Sequence, residues 1–79
     1  MTVDADRSRF AAERIAEAIR EAREQAGQTP NAVAESAGID PASYSAIERG
    51  DVDVPLEALV GIGAALDLTV AELFERARL

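Results

Sequence analysis

Apolar residues recur at helical spacing through the first third of the chain. Between Arg7 and Ala26 the sequence is rich in alanine, glutamate and arginine, which are good helix formers, and Gly27 ends the pattern. At 3.6 residues per turn, the apolar side chains share one stripe. This stripe consists of Ala12, Ile15, Ala16, Ile19, Ala22 and Ala26. The pattern therefore predicts an amphipathic first helix.

Two side chains of this first helix depart from the simple pattern. Arg23 projects from the edge of the apolar stripe, so its charged head needs a buried or half-buried partner. Phe10 projects nearly opposite Ile19. Either the helix starts after Phe10, or Phe10 lies on an outer face and contacts another group.

The middle of the chain has the pattern of two short helices with a turn between them. Thr29-Pro30 and Asp40-Pro41 each combine an N-cap residue with proline at the first helical position. Gly38 ends the first of these helices, and Gly50 ends the second after Arg49. The expected inward residues are Val33, Ala34 and Ala37 on the first and Tyr44 and Ile47 on the second.

The last third of the chain predicts two further helices. One begins at Pro55 and is apolar on almost every side, which predicts that it is well buried. The other begins at Thr69, which can form a capping box with Glu72. Because no segment has a strand pattern, we predict an all-α fold of five helices. It forms a single domain over residues 11–79, preceded by an extension, residues 1–10, that is either partly flexible or the start of the first helix.

Composition restricts the available chemistry. The 79 residues suffice for one small domain. Cysteine and histidine are absent, which excludes disulfides, thiolate or imidazole metal ligands, and Ser-His or Cys-His catalysis. We therefore predict no enzyme activity, no cofactor and no metal. No run approaches about twenty apolar residues and the N-terminus lacks the apolar core of a signal peptide, so we expect a cytoplasmic protein that does not enter a membrane.

The chain has more acidic than basic residues, which is unusual for a nucleic-acid-binding protein. Its formal net charge is -7, whereas most such domains are basic because phosphate contacts supply much of their affinity. The eight basic residues are all arginine. Arg7 and Arg9 can form an N-terminal arm, while for Arg14 and Arg20 we expect a solvated helix face that forms salt bridges with neighbouring glutamates.

Three stretches carry a resemblance to a known family: IREAREQAG, TPNAVAESAGIDPASYSAIERG and VPLEALVGIGAALDLTVAELF. From about Ile15 to Phe74, their order and spacing resemble the lambda-repressor-like helix-turn-helix domain, also called the Cro-type or xenobiotic-response-element family. The resemblance implies a helix-turn-helix at about residues 29–49. It also implies that Arg23 pairs with Glu48, since these two residues occupy the slots of a paired arginine and glutamate in the family.

The resemblance further implies a sequence-specific DNA-binding transcriptional regulator, with residues 41–49 as a recognition helix in the major groove of double-stranded DNA. The implied base-facing residues are Pro41, Ala42, Ser45, Ala46 and Arg49, with Ser43 at the flank and Thr29 at a helix N-terminus that can face phosphates. Two features depart from the family. Pro30 stands where a glutamine commonly binds a phosphate, and the loop after the third helix carries Asp51 and Asp53 instead of cations.

These departures leave a second hypothesis open, an acidic protein-interaction module that keeps the helix-turn-helix fold but has lost or weakened DNA binding. Ala42, Tyr44 and Ala46 at the surface would form a small apolar patch for a protein partner. Tyr44 fits a half-buried core position better, since its slot in the family is usually aliphatic. Phe10 and Leu79 are candidate contacts of a homodimer; the alternative is that both pack onto the bundle near the chain ends.

Overall fold

Five helices make up the regular structure of residues 5–79, the part of the chain that this computed structural model describes, without the side chains of residues 5, 6 and 8. The helices are α1 Ala5–Gln25, α2 Pro30–Ala37, α3 Pro41–Arg49, α4 Leu56–Ala65 and α5 Val70–Ala77. The predicted five-helix, all-α fold is confirmed, and no strand occurs among these residues. Helix α1 already includes residues 5–10 of the predicted extension, while residues 1–4 lie outside the described part.

Side-chain caps start the two short helices at the predicted residues. Thr29 Oγ1 accepts a hydrogen bond from the backbone N–H of Ala32, with the two heavy atoms 3.1 Å apart. Asp40 Oδ2 accepts from the backbone N–H groups of Ala42 and Ser43, at 3.1 and 3.2 Å. These bonds satisfy donors that the first turn of a helix cannot pair internally. The start of each helix is therefore set by its own sequence.

Two glycines permit close approaches that any other residue would obstruct. Gly50 ends α3 with φ of 74°, a left-handed conformation, and a Cβ there would lie 3.2 Å from the Cα of Glu13. A Cβ on Gly63 would lie 2.5 Å from the carbonyl oxygen of Leu68. The chain after α4 can therefore fold back against α4 only because residue 63 is glycine.

One hydrophobic core joins all five helices. Its largest fully buried side chains are Ile19, Val33, Tyr44, Ile62 and Leu73, one from each helix. Burial of an aliphatic side chain of this size stabilises the fold by about 1.5–3 kcal/mol. Tyr44 is only 1% exposed, so the expectation of a half-buried residue and the alternative of a surface patch containing Tyr44 are both wrong.

Helix α4 is less buried than its composition predicts. Leu59, Ile62 and Gly63 are buried, whereas Leu56 and Val60 are 69% and 54% exposed. Its neighbours α2 and α5 cover only part of its circumference. An apolar composition shows that a helix is able to be buried on all sides. How much of it is buried depends on how the neighbouring helices pack against it. Among residues 5–79, no helix combines the length and apolar character needed to cross a membrane.

Candidate nucleic-acid interface

Helix α3 has one buried face and one outward face. Tyr44, Ile47 and Glu48 point inward, and the opposite side is open to solvent. Of the predicted base-facing residues, Pro41, Ala42, Ser43, Ser45 and Arg49 are exposed and Ala46 is half-buried. Thr29 is also exposed, at the start of α2. Their roles in DNA contact stay predictions.

An internal ion pair attaches α3 to α1. Nε of Arg23 lies 2.6 Å from Oε2 of Glu48 and Nη2 lies 3.1 Å from Oε1, so the guanidinium donates two hydrogen bonds to one carboxylate. The two side chains are 14% and 11% exposed. Nη1 of Arg23 donates to the carbonyl oxygen of Gln28 at 3.0 Å, which connects the pair to the turn before α2. The hydrogen bond to Glu48 raises the pKa of Arg23 above its usual value, so the guanidinium remains charged.

Two further side chains bind Glu48 in a way that the sequence analysis did not foresee. The hydroxyl of Tyr44 donates to Oε2 of Glu48, and burial together with this bond raises the pKa of Tyr44 well above its usual range. Nη1 of Arg20 donates to the backbone carbonyl of Glu48, one of the last carbonyls of α3. The solvated role expected for Arg20 is therefore wrong. The i, i+4 spacing of Tyr44 and Glu48 was the sequence signal for the first contact.

The one arginine on the outward face of α3 already has an acidic neighbour. Nε of Arg49 lies 2.8 Å from Oδ2 of Asp51, and both side chains are 59% exposed. An exposed pair of this kind contributes about 0–1 kcal/mol, so a stronger anion can displace the aspartate. Sequence reasoning placed Asp51 near the DNA backbone but did not identify its pairing with Arg49.

An apolar groove lies beside the outward face of α3. It has a volume of about 500 Å³ and runs between α3, the loop after it and the start of α4. We call it the α3–α4 groove; it is lined by Ile39, Ala42, Ser43, Ala46, Ile47, Val52, Asp53, Pro55 and Ala58. Three predicted DNA-contact residues are therefore also groove residues.

The candidate dimer contacts lie at the surface. Phe10 is 57% exposed on the outer face of α1, where the Arg14 guanidinium carbon lies 5.6 Å from the centre of its ring. Leu79 is 55% exposed and borders a shallow depression with Phe74. Arg14 also donates from Nε to the carbonyl of Ala77 at 2.9 Å, so its expected role as a simply solvated side chain is wrong.

Comparison with known proteins identifies the fold. Residues 14–76 match a family model described as a helix-turn-helix domain. The chain belongs to this family. The match covers four-fifths of the helix-turn-helix protein and includes α2, α3 and the turn between them. No curated protein matches the sequence significantly.

Several solved structures resemble this helix-turn-helix protein. The clp gene regulator ClgR from Corynebacterium glutamicum is 31% identical over 86% of this chain and 72% of its own, with a TM-score of 0.83. The restriction-modification controller protein C.AhdI from Aeromonas hydrophila is 28% identical over 80% of this chain and 96% of its own, with a TM-score of 0.77. The controller protein C.Esp1396I, at 23% identity and a TM-score of 0.80, supports the fold alone.

These neighbours confirm the lambda-repressor-like assignment. They are described as regulators and controller proteins, which supports a DNA-binding regulator as the general class of function.

Proposed function

We propose that this helix-turn-helix protein is a sequence-specific DNA-binding transcriptional regulator that places α3 in the major groove. The observation that carries the proposal is that α3 has an inner face bound to α1 and an outer face exposed to solvent. The Arg23–Glu48 pair holds the inner face, and residues 41–49 present small side chains and one arginine on the outside. The fold similarity to ClgR and C.AhdI, described as regulator and controller proteins, supports the same function.

The outer face of α3 offers a limited set of base contacts. Arg49 can donate two hydrogen bonds to guanine, or bind a phosphate, once it leaves Asp51. Ser43 and Ser45 can donate to or accept from base edges. Ala42 and Ala46 can contact thymine methyl groups. Pro41 can make only apolar contacts with the DNA, because it has no backbone N–H to donate. We expect modest sequence discrimination from such small side chains.

Most of the proposed contacts with DNA phosphates come from the start of α2. The hydroxyl of Thr29 accepts from Ala32, and its own hydrogen can still be donated to a phosphate oxygen. The α2 N-terminus adds a favourable dipole for an anion. Pro30 contributes neither a side-chain donor nor an N–H, so we expect weaker backbone attachment than a glutamine at that position would give.

Binding of the Arg49→Ala variant to a mixed-sequence duplex at about 50 mM salt tests the proposal, since even weak phosphate-driven affinity is visible there. The variant should bind roughly tenfold more weakly, because the outer face loses its only cation for phosphate contact. Arg76→Ala is the matched control, with the same change of charge on α5, and should bind almost as the wild type does. Absence of duplex binding by the wild type at this salt concentration would reject the regulator function.

A homodimer is part of the proposal, because two copies of α3 can bind two half-sites one turn of DNA apart. The proposed contacts are Phe10 and Leu79, which are large, apolar and more than half exposed. Sedimentation velocity of Phe10→Ser and Leu79→Ser tests them, with Leu56→Ser as a comparison because Leu56 is exposed on α4. Dimers that dissociate only in the Leu56→Ser variant would place the interface on α4 instead.

A further inference from the structure

The α3–α4 groove combines the size of a binding site with an apolar lining. Its volume is about 500 Å³ and it is open to solvent along the surface. Among its lining residues, only Ser43 and Asp53 are polar or charged. Val52 at the groove is 42% exposed, so apolar surface that could be covered remains open to water. A partner that covers it removes this apolar surface from water, which favours association.

The charges around this groove are predominantly negative. Asp53 lines the groove, and the Asp40 carboxylate binds the backbone N–H groups of two other lining residues, Ala42 and Ser43. Residues 39–58 contain four exposed acidic side chains, Asp40, Asp51, Asp53 and Glu57, and one arginine, whereas Glu48 is buried against Arg23 and does not contribute. The one arginine, Arg49, is paired with an aspartate at the surface. The surroundings therefore favour a cationic partner.

These two properties select one class of occupant. A second copy of this chain carries the same net charge of -7, so the acidic residues around the groove disfavour its docking there; the homodimer proposed above uses Phe10 and Leu79, which do not line the groove. We propose that the α3–α4 groove binds a basic amphipathic helix of a partner protein, whose aliphatic side chains enter the groove while its lysines or arginines face the surrounding carboxylates.

The location of this groove makes the partner a competitor of DNA. Ala42, Ser43 and Ala46 line the groove and also belong to the predicted DNA contacts. A helix seated there covers these three residues of the outward face of α3 and so excludes the duplex from them. Only this exclusion rests on the proposed function; docking of the helix in the groove stands independently of it.

Nuclear magnetic resonance titration of the full-length ¹⁵N-labelled chain can test this docking. The probe is a synthetic peptide of roughly 14 residues, or four helical turns, with leucine on one face and lysine elsewhere. Amide signals of the groove residues, such as Ala42, Ala46 and Ala58, should shift, and those of α5 should stay in place. Peptides with glutamate for lysine, or serine for leucine, should bind at least about tenfold more weakly if both charge and apolar contact contribute.

Two pairs of variants separate docking from general attraction to an acidic protein. Ala58→Leu fills the groove and should weaken peptide binding about tenfold or more, whereas Ala64→Leu on the exposed side of α4 should not. Asp51→Asn should weaken it about two- to fivefold, while Glu75→Gln, with the same change of charge on α5, should leave it almost unchanged. Because the Asp51 variant changes only an exposed residue, it tests the proposal even if Ala58→Leu fails to fold.

The possible outcomes distinguish this proposal from the DNA-binding function. Peptide shifts spread evenly over the chain, or equal affinity of the Ala58→Leu and Ala64→Leu variants, would overturn groove docking. A duplex that shifts the groove amides while the lysine peptide does not would likewise overturn it, in favour of DNA as the occupant. Peptide docking in the groove without any duplex binding would support it and reject the regulator function instead. Mutual displacement of peptide and duplex would support both.

Discussion

Two arginine–carboxylate pairs lie on opposite sides of α3, and their surroundings give them different roles. The Nε–O distances are similar, 2.6 Å for Arg23–Glu48 and 2.8 Å for Arg49–Asp51. The inner pair is 14% and 11% exposed and has Tyr44 as a further donor, whereas both members of the outer pair are 59% exposed. Because water screens the outer pair, distance alone does not indicate its contribution. We infer that the inner pair holds α3 in place and that the outer pair is exchangeable.

Glu48→Ala should have the largest effect, because it leaves the Arg23 guanidinium with no carboxylate in a nearly buried position. We expect a loss of about 3–5 kcal/mol in the free energy of unfolding. For a domain of this size, that corresponds to a melting temperature lower by more than about 12 °C, measured by circular dichroism. Glu75→Ala on the exposed side of α5 is the control. An unchanged melting curve for Glu48→Ala would mean that the inner pair behaves like the outer one.

Tyr44→Phe should have an intermediate effect. The ring still fills the core, but Glu48 loses one charge-assisted hydrogen bond, which typically contributes about 1.5–3 kcal/mol. Urea unfolding measures the difference. A variant as stable as the wild type would show that the hydroxyl adds nothing to the inner pair.

High pH should lower the free energy of unfolding of the wild type more than that of the Tyr44→Phe variant. The pKa of Tyr44 is raised in the folded protein, chiefly by burial, so the unfolded chain releases this proton first as pH rises. The stability due to the neutral hydroxyl is complete below a pH of about 10 and declines above it. Unfolding free energies of both proteins at about pH 8 and about pH 11 test this sign. Tyr44 is the only tyrosine and tryptophan is absent, so tyrosinate absorbance reports its ionisation directly.

Asp51→Asn should have the smallest effect on stability of these variants, and it should tighten DNA binding. Breaking the exposed pair should change the free energy of unfolding by less than about 1 kcal/mol. It should also tighten duplex binding about two- to fivefold, since Arg49 is released and one repulsive charge is removed. Fluorescence anisotropy with Glu75→Gln as the charge-matched control measures the gain. Weaker duplex binding by the Asp51 variant would mean that Asp51 positions Arg49 for DNA.

Local signals made most of the fold predictable from the sequence. Thr29-Pro30, Asp40-Pro41 and the terminating glycines act within one helical turn, so the structure places α2 and α3 where those residues indicate. The capping box of Thr69 and Glu72 is confirmed for the same reason, and its hydrogen bonds lower the pKa of Glu72.

Features that depend on distant parts of the chain were less predictable. The exposure of Leu56 and Val60 depends on which sides of α4 its neighbours cover, and composition does not encode that. Arg14 and Arg20 share a helix with several glutamates, yet both donate to backbone carbonyls of other helices. The pairing of Arg23 with Glu48 came from the family resemblance, because 25 residues separate the two in sequence.

We propose that the Arg23–Glu48 pair holds the inner face of α3 in place and that the outward face of α3 contacts DNA. Titration of the ¹⁵N-labelled chain with a mixed-sequence duplex at about 50 mM salt tests it most directly, because each amide reports its own position. We predict that the largest signal shifts fall on residues 42–49 and on Thr29, with α5 unaffected. Shifts confined to α4 and α5, or no shifts at all, would contradict the claim.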